Sequence, residues 1–457
     1  MKKGLVASSM VLGLSLVLSA CGSNANNANE SPSASGAASP TSEASAPASS
    51  SSGNQEVKDI TMLMFTDWYK SGIQAIEKDI NDNADKLGFR LKIEKIAGGA
   101  AGEQIYKARA AANELPMLIS TYGTKWVKSE MGGLTHFQEI GGIGGDWTQN
   151  YPESILNTGT FTDEGKVYGI PFDSVNINGV FYNKKVFEKV GIQIPQTYQQ
   201  FLDALAKIKE AGITPLYLPA KDTWTVNMFD HEGWLRLNQP LKPIMDKINI
   251  NETHFADQSL LADTFTKHKE LLEKGYIQKT YLSDTYAGAQ KAVAEGTAAM
   301  TVNATWMIDN IAKDYPDKVA DIGAFRVPFD EDQNATIYMP FNLSVTDQFA
   351  DKDLLAKFIA YFTSPATQQK FYDAQGGIPA IKNVTSKLQP AQEDLKKLLD
   401  EGKTVGFWGD PLNYSWGDQN AYLLDFFLGA KKAEDVLKAM DDEFAKNAKA
   451  KQDPNWK

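Results

Sequence analysis

The chain has 457 residues, with 46 Lys and Arg against 57 Asp and Glu, and a formal charge of −11 at neutral pH. Hydrophobic residues make up 42% and charged residues 23%, an ordinary globular composition, and the acidic balance excludes nucleic acid as a partner. The only cysteine is Cys21, which excludes an intrachain disulfide and a cysteine metal site.

Lys2 and Lys3 precede an uncharged apolar run from Gly4 to Ala20, the layout of a secretory signal and shorter than the roughly 20 apolar residues a spanning helix needs. Residues 1–20 are read as that signal; losing its two lysines takes the formal charge from −11 to −13. From Gly22 to Asn54 the chain is almost wholly Ser, Ala, Asn, Gly and Pro, with Glu30 and Glu43 as its only charges. Such a segment cannot bury a core, so residues 21–55 are expected to form a disordered tether with a reach of about 30 Å.

The remaining body alternates short apolar runs with amphipathic stretches, the pattern of an α/β protein. Ile60–Phe65 reads as a buried strand, Ser71–Leu87 as a helix, Phe89–Glu94 as an alternating strand, Ile105–Glu114 as a helix and Leu115–Ile119 as a third strand. Thr197 and Gln200 form a capping box for a helix over Thr197–Ala211 that Gly212 stops. Further helices are predicted at Ser259–Lys274, Asp351–Phe362 and Ala433–Lys446.

Sequence signatures of specific chemistry are absent. No phosphate loop or Gly-x-Ser-x-Gly elbow occurs, and the four histidines are scattered, so no zinc site is expected. The run Asp330 to Asn334 imitates a calcium loop, but Ala335 stands where the turn glycine belongs and Phe341 where the bidentate Glu belongs. It reads as an acidic surface loop. A carboxylate pair for glycoside cleavage stays open, because such pairs form only in space.

Aromatic residues are more informative. Trp68 beside Asp67, Tyr122, Trp224, Trp306, Trp408, and Trp416 near Asp418 follow predicted strands or sit in polar, Gly-rich loops. In open α/β sheets ligands bind beyond the carboxyl ends of strands. Flat apolar faces beside carboxylates and amides suit sugars, which offer C–H groups on the ring face and hydroxyls around its edge. Trp126, Trp147, Trp234 and Trp456 are assigned to packing.

Several longer stretches resemble a known family. Gly165 to Phe172, Gly179 to Phe187, Gly191-Ile192 and Pro195-Gln196-Thr197 are similar to the central signature of the family 1 extracellular solute-binding proteins of ABC transporters, typified by maltose-binding protein. Ala292 to Met300 resembles that family's strand before a binding tryptophan, and Phe362 to Gln369 and Gly376 to Ala380 resemble its late helix and turn. Leu18-Ser19-Ala20-Cys21 resembles a bacterial lipobox, implying a lipid on Cys21.

The resemblance implies a two-lobed, class II periplasmic-binding-protein-like α/β fold with a hinged ligand cleft. Residues 56–174 and 327–375 would form the N-terminal lobe, and 175–326 and 376–457 the C-terminal lobe. The chain would cross near Asp173 to Asn178, return near Phe325 to Phe329 and cross again near Gly376 to Ala380. On this pattern Asp67 matches a position that meets sugar hydroxyls, while Trp306 and Trp416 match stacking tryptophans. Asn176 falls where some members carry a carboxylate, a role Asp173 can take, and Tyr122 and Trp224 lie in matching loops. The expected protein is a monomeric, non-enzymatic lipoprotein on the outer face of a bacterial membrane, without cofactor. It would capture a carbohydrate and pass it to permease subunits. A surface glycan hydrolase and a binder of some other solute are the alternatives.

Overall fold

The computed structural model describes residues 56–237, 240–331 and 333–457. The predicted signal, the tether and Cys21 lie outside the described residues. In chain order the strands are β1 (Lys58–Phe65), β2 (Phe89–Ile96), β3 (Leu118–Thr121), β4 (Thr162–Asp163), β5 (Lys166–Val167), β6 (Gly169–Phe172), β7 (Asn176–Asn183), β8 (Thr214–Leu216), β9 (Ala298–Ala304), β10 (Ile322–Phe325), β11 (Ala335–Tyr338), β12 (Phe341–Val345) and β13 (Thr404–Gly406). One sheet has the order β2-β1-β3-β12-β6, a second β13-β11-β7-β9-β8 with β10 also on β7, and β4 and β5 form a short hairpin.

β1 lies between β2 and β3, parallel to both. Its last four residues are buried on alternating faces, so helices must cover both sides. Met62 and Met64 pack into a cluster with Ile73, Ile76 and Ile80 of the helix Ser71–Asp82. Leu63 and Phe65 join Tyr106 and Ile119 on the opposite face. The single helix expected over Ser71–Leu87 breaks at Asn83, whose side-chain amide donates to the Asp79 carbonyl at 2.8 Å, and resumes at Ala84–Leu87. The next helix spans Gly99–Ala112 and starts before the predicted Ile105, and β3 begins at Leu118, beyond Pro116.

Thr197 caps the helix Tyr198–Glu210 by accepting from the Gln200 amide at 3.2 Å. The reciprocal half of the expected capping box shifts by one residue, since the Gln200 side chain accepts from the Gln196 amide at 2.8 Å. Helices Ser259–Glu273 and Lys352–Phe362 match expectation, and the C-terminal helix runs on to Ala450. The acidic run near residue 330 serves the fold: Asp330 accepts from the Tyr198 amide, and Glu331 pairs with Arg236 at 2.7 Å.

Three segments carry the chain between the sheets. The first lies between β6 and β7, at Asp173 to Val175, within the expected range. The return falls at Met339-Pro340, between β11 and β12, and not near Phe325 to Phe329. The reason is β11, which pairs with β7 and β13 and so keeps residues 335–338 in the second sheet. The third passes through Gly376 to Ala380, where Ile378 bridges Val175.

Candidate functional site

Each sheet contributes aromatic rings at the ends of its strands. After β1 the chain makes a short turn, Thr66–Trp68, and the Trp68 ring stacks on Phe341 with centroids 3.8 Å apart. Tyr122, directly after β3, meets Trp68 edge-on at 5.0 Å and Trp126 at 5.4 Å. Gly123 makes this turn possible: at φ 141° it starts the helix Thr124–Glu130, and a β-carbon there would press on the Thr160 backbone at 3.0 Å.

From the second sheet, Trp306 opens the helix Trp306–Asp314 after β9 and lies 6.2 Å from Trp224. Trp306 also meets Tyr338 at 5.2 Å, Tyr338 meets Phe407 at 5.7 Å, and Phe407 meets Trp416 at 6.3 Å. Tyr338 and Phe341 stand on either side of the Met339-Pro340 return, so one short segment supplies a ring to each set. The Tyr338 hydroxyl is fixed from behind by Nδ1 of buried His231 at 2.6 Å. Burial without a charge partner holds that imidazole down, to about 3, so it is neutral.

Between the two sets lies a cavity of about 340 Å³ lined by Glu103, Tyr122, Lys125, Trp126, Phe407, Asp410, Tyr414 and Trp416 among others. The Lys125 ammonium donates to the Pro411 carbonyl, which also accepts from Asn249 at 2.9 Å. Burial lowers the Lys125 pKa to about 8, with Asp410 opposing, and burial pushes the Asp410 carboxyl up to about 7, with Lys125 opposing. Asp410 is partly exposed and lines the cavity, with the Lys125 charge as its neighbour.

The sequence-derived candidates separate into groups. Trp68, Tyr122, Trp224, Trp306 and Trp416 carry partly or largely exposed rings in the two sets. Asp67 is exposed on the turn beside Trp68, its carboxylate leaning over Gly98. Trp408 is corrected: it is 1% exposed, stacked on Trp234 at 4.5 Å with Trp416 at 4.6 Å, and backs Trp416 from the core. Asp418 is exposed, and its carboxylate accepts from the Ala421 amide at 3.1 Å and caps the helix Gln419–Phe427.

Asp173 and Asn176 belong to the crossing. Asp173 Oδ1 accepts from Ser174 N and Gln375 Nε2, both at 2.7 Å. Asn176 donates to the Ser174 carbonyl and accepts from the Thr305 hydroxyl. Trp147, Trp234 and Trp456 are buried as assigned, but Trp126 is half-buried and lines the cavity. Tyr338 and Lys125 were not candidates from sequence, and in the aromatic run Phe407-Trp408-Gly409-Asp410 the candidate was Trp408, whereas Phe407 and Asp410 line the cavity. Among the described residues no three His, Cys, Asp or Glu side chains converge to hold a metal ion.

A family model for bacterial extracellular solute-binding proteins matches residues 75–399. The chain belongs to that family. Among relatives of this solute-binding protein, the multiple sugar-binding protein of Streptococcus mutans is 23% identical over 371 residues, covering 80% of this chain and 86% of the relative. The diacetylchitobiose binding protein DasA of Streptomyces coelicolor is 27% identical over 334 residues, covering 70% and 73%. The solved structure of a chitin oligosaccharide binding protein superposes with a TM-score of 0.70 at 22% identity, covering 86% of this chain and 100% of its own. That likeness carries the fold: this solute-binding protein has the two-lobed α/β architecture of its structural neighbours. Among the described residues no helix is long and apolar enough to cross a membrane.

Proposed function

We propose that this solute-binding protein captures an oligosaccharide for an ABC importer and releases it unaltered to the permease. The observation that carries the reading is the pairing of ring sets from both sheets around one cavity, with carboxylates and an ammonium at its edge. Aromatic faces supply burial for the sugar's C–H surfaces, and Asp67, Asp410 and Lys125 supply hydrogen bonds to its hydroxyls. Two or three stacked rings at roughly 1 kcal/mol each beyond area burial are compatible with micromolar binding, about −8 kcal/mol.

In this reading residues 56–174 with 340–375 form one lobe and 175–339 with 376–457 the other, the boundary at 339 following β11. Ligand held by one lobe meets the rings of the other, and closure about the three crossings produces the state that the permease recognises. The lipobox-like Cys21 carries a lipid, and residues 21–55 tether a monomeric body to the outer face of the membrane. Two acyl chains make such an anchor stable.

A thermal-shift screen of residues 56–457 against mono- and oligosaccharides tests the reading, because a ligand that binds only the folded form raises its melting temperature. The expected result is a concentration-dependent rise with one oligosaccharide class, and no new reducing ends after incubation. Release of reducing ends would establish a hydrolase instead.

A further inference from the structure

We propose that the cavity between Tyr122 and Trp126 on one side and Phe407 and Trp416 on the other is a terminal subsite, making the chain selective for oligosaccharides of three or more units. The inference rests on the carbohydrate reading above and adds ligand length and direction.

Three observations carry it. The rings of the second sheet form an unbroken series, Trp224, Trp306, Tyr338, Phe407 and Trp416, with neighbouring centroids 6.2, 5.2, 5.7 and 6.3 Å apart. One pyranose covers about one ring face, so a mono- or disaccharide leaves part of this series bare. Second, rings of both sets enclose a single space at the Trp416 end, and its volume of about 340 Å³ is small for a ligand site. Ligand pockets run from roughly 300 to 1,000 Å³, so this space takes the end of a chain and not the whole of it.

Third, charged groups stand on the wall of the enclosed space, Glu103, Lys125 and Asp410. The Asp410 carboxylate is partly exposed on the wall of this space, beside the Lys125 charge. A sugar hydroxyl there would donate a hydrogen bond to this carboxylate. Lys125 ties the two sides together through the Pro411 carbonyl, so a glycan entering from the Trp306 side ends at this contact. Trp408, stacked on Trp234 and tilted at 49° against Trp416, backs the far ring from the core.

The test is calorimetric titration of residues 56–457 with two homologous series, chitobiose to chitotetraose and melibiose, raffinose and stachyose, on the wild type and on W126A, W416A and W306A. Whichever series binds, affinity should rise with the third unit. W416A and W126A should each weaken the longer ligand about tenfold while moving the disaccharide less than about twofold, and W306A should weaken both. If either cavity variant fails to fold, S415W, which fills the cavity from an exposed position, should erase the preference for length. Binding in which the cavity variants affect all lengths equally, or a length preference that survives S415W, would overturn the subsite and leave carbohydrate binding intact. A protein that neither series binds would overturn the carbohydrate reading and this inference together.

Discussion

Replacing Tyr338 with Phe removes one oxygen and keeps the ring, which separates the anchoring of this residue from its role as a surface. Its hydroxyl is bonded to Nδ1 of His231 at 2.6 Å, and His231 is 7% exposed with Nε2 already lacking a partner. Without the hydroxyl neither imidazole nitrogen is bonded, at a cost of about 1–3 kcal/mol. That corresponds to a fall in melting temperature of roughly 2–4 °C per kcal/mol. Ring contacts with Trp306 and Phe407 persist, so sugar affinity should change little. Adding His231→Leu removes the second polar partner, and the double variant should regain most of the loss. The imidazole gives an independent pH readout. Its folded pKa is depressed to about 3 from 6.5, so acidification protonates the unfolded chain first. Stability is lost as pH falls from 6.5 toward 3, and the His231→Leu variants should lose that part of the dependence. Urea unfolding from pH 4 to pH 8 measures both effects. A Tyr338→Phe protein as stable as the wild type, or a double variant at the sum of the single losses, would refute the argument.

Trp306→Ala should weaken binding of the true oligosaccharide at least about tenfold in fluorescence titration with little change in stability, whereas Trp408→Ala should destabilise by about 3–5 kcal/mol in denaturant unfolding. Gly377→Ala should destabilise by about 2 kcal/mol or more: its φ is +88°, and the new β-carbon would stand 2.0 Å from Ser174 Oγ. Adding Ser174→Gly should restore part of the denaturation midpoint. The Asp410 carboxyl is raised to about 7 by burial, so its protonated form favours the fold at low pH and that contribution is lost as pH rises through 7. Asp410→Asn should therefore gain stability on the wild type between pH 4 and pH 8, read from melting temperatures in a buffer series.

Local pattern made much of this protein legible. The alternating faces of β1, the Thr197 cap and the stop at Gly212 are written in neighbouring residues, because helix and strand periodicity and capping act over a few positions. Aromatics directly after strands, Trp68, Tyr122 and Trp306, were found for the same reason: a residue leaving the carboxyl end of a strand in an open sheet has few other places to go. Beyond Gly406 that rule weakened. Trp408 and Trp416 have similar local sequences, Trp-Gly-Asp in both, yet one is buried against Trp234 and the other is partly exposed over the cavity.

Sequence alone determined the first three strands, the capped helices, the absence of disulfides and the resemblance that pointed to a solute-binding family. Tertiary structure decided where the chain returns between sheets, since pairing of β11 with β7 and β13 joins residues far apart in sequence. It also decided which rings face one another and which carboxylates lose water. Burial and opposition are properties of the assembled walls: Lys125 and Pro411 touch across 286 positions of chain, a separation at which no local periodicity acts.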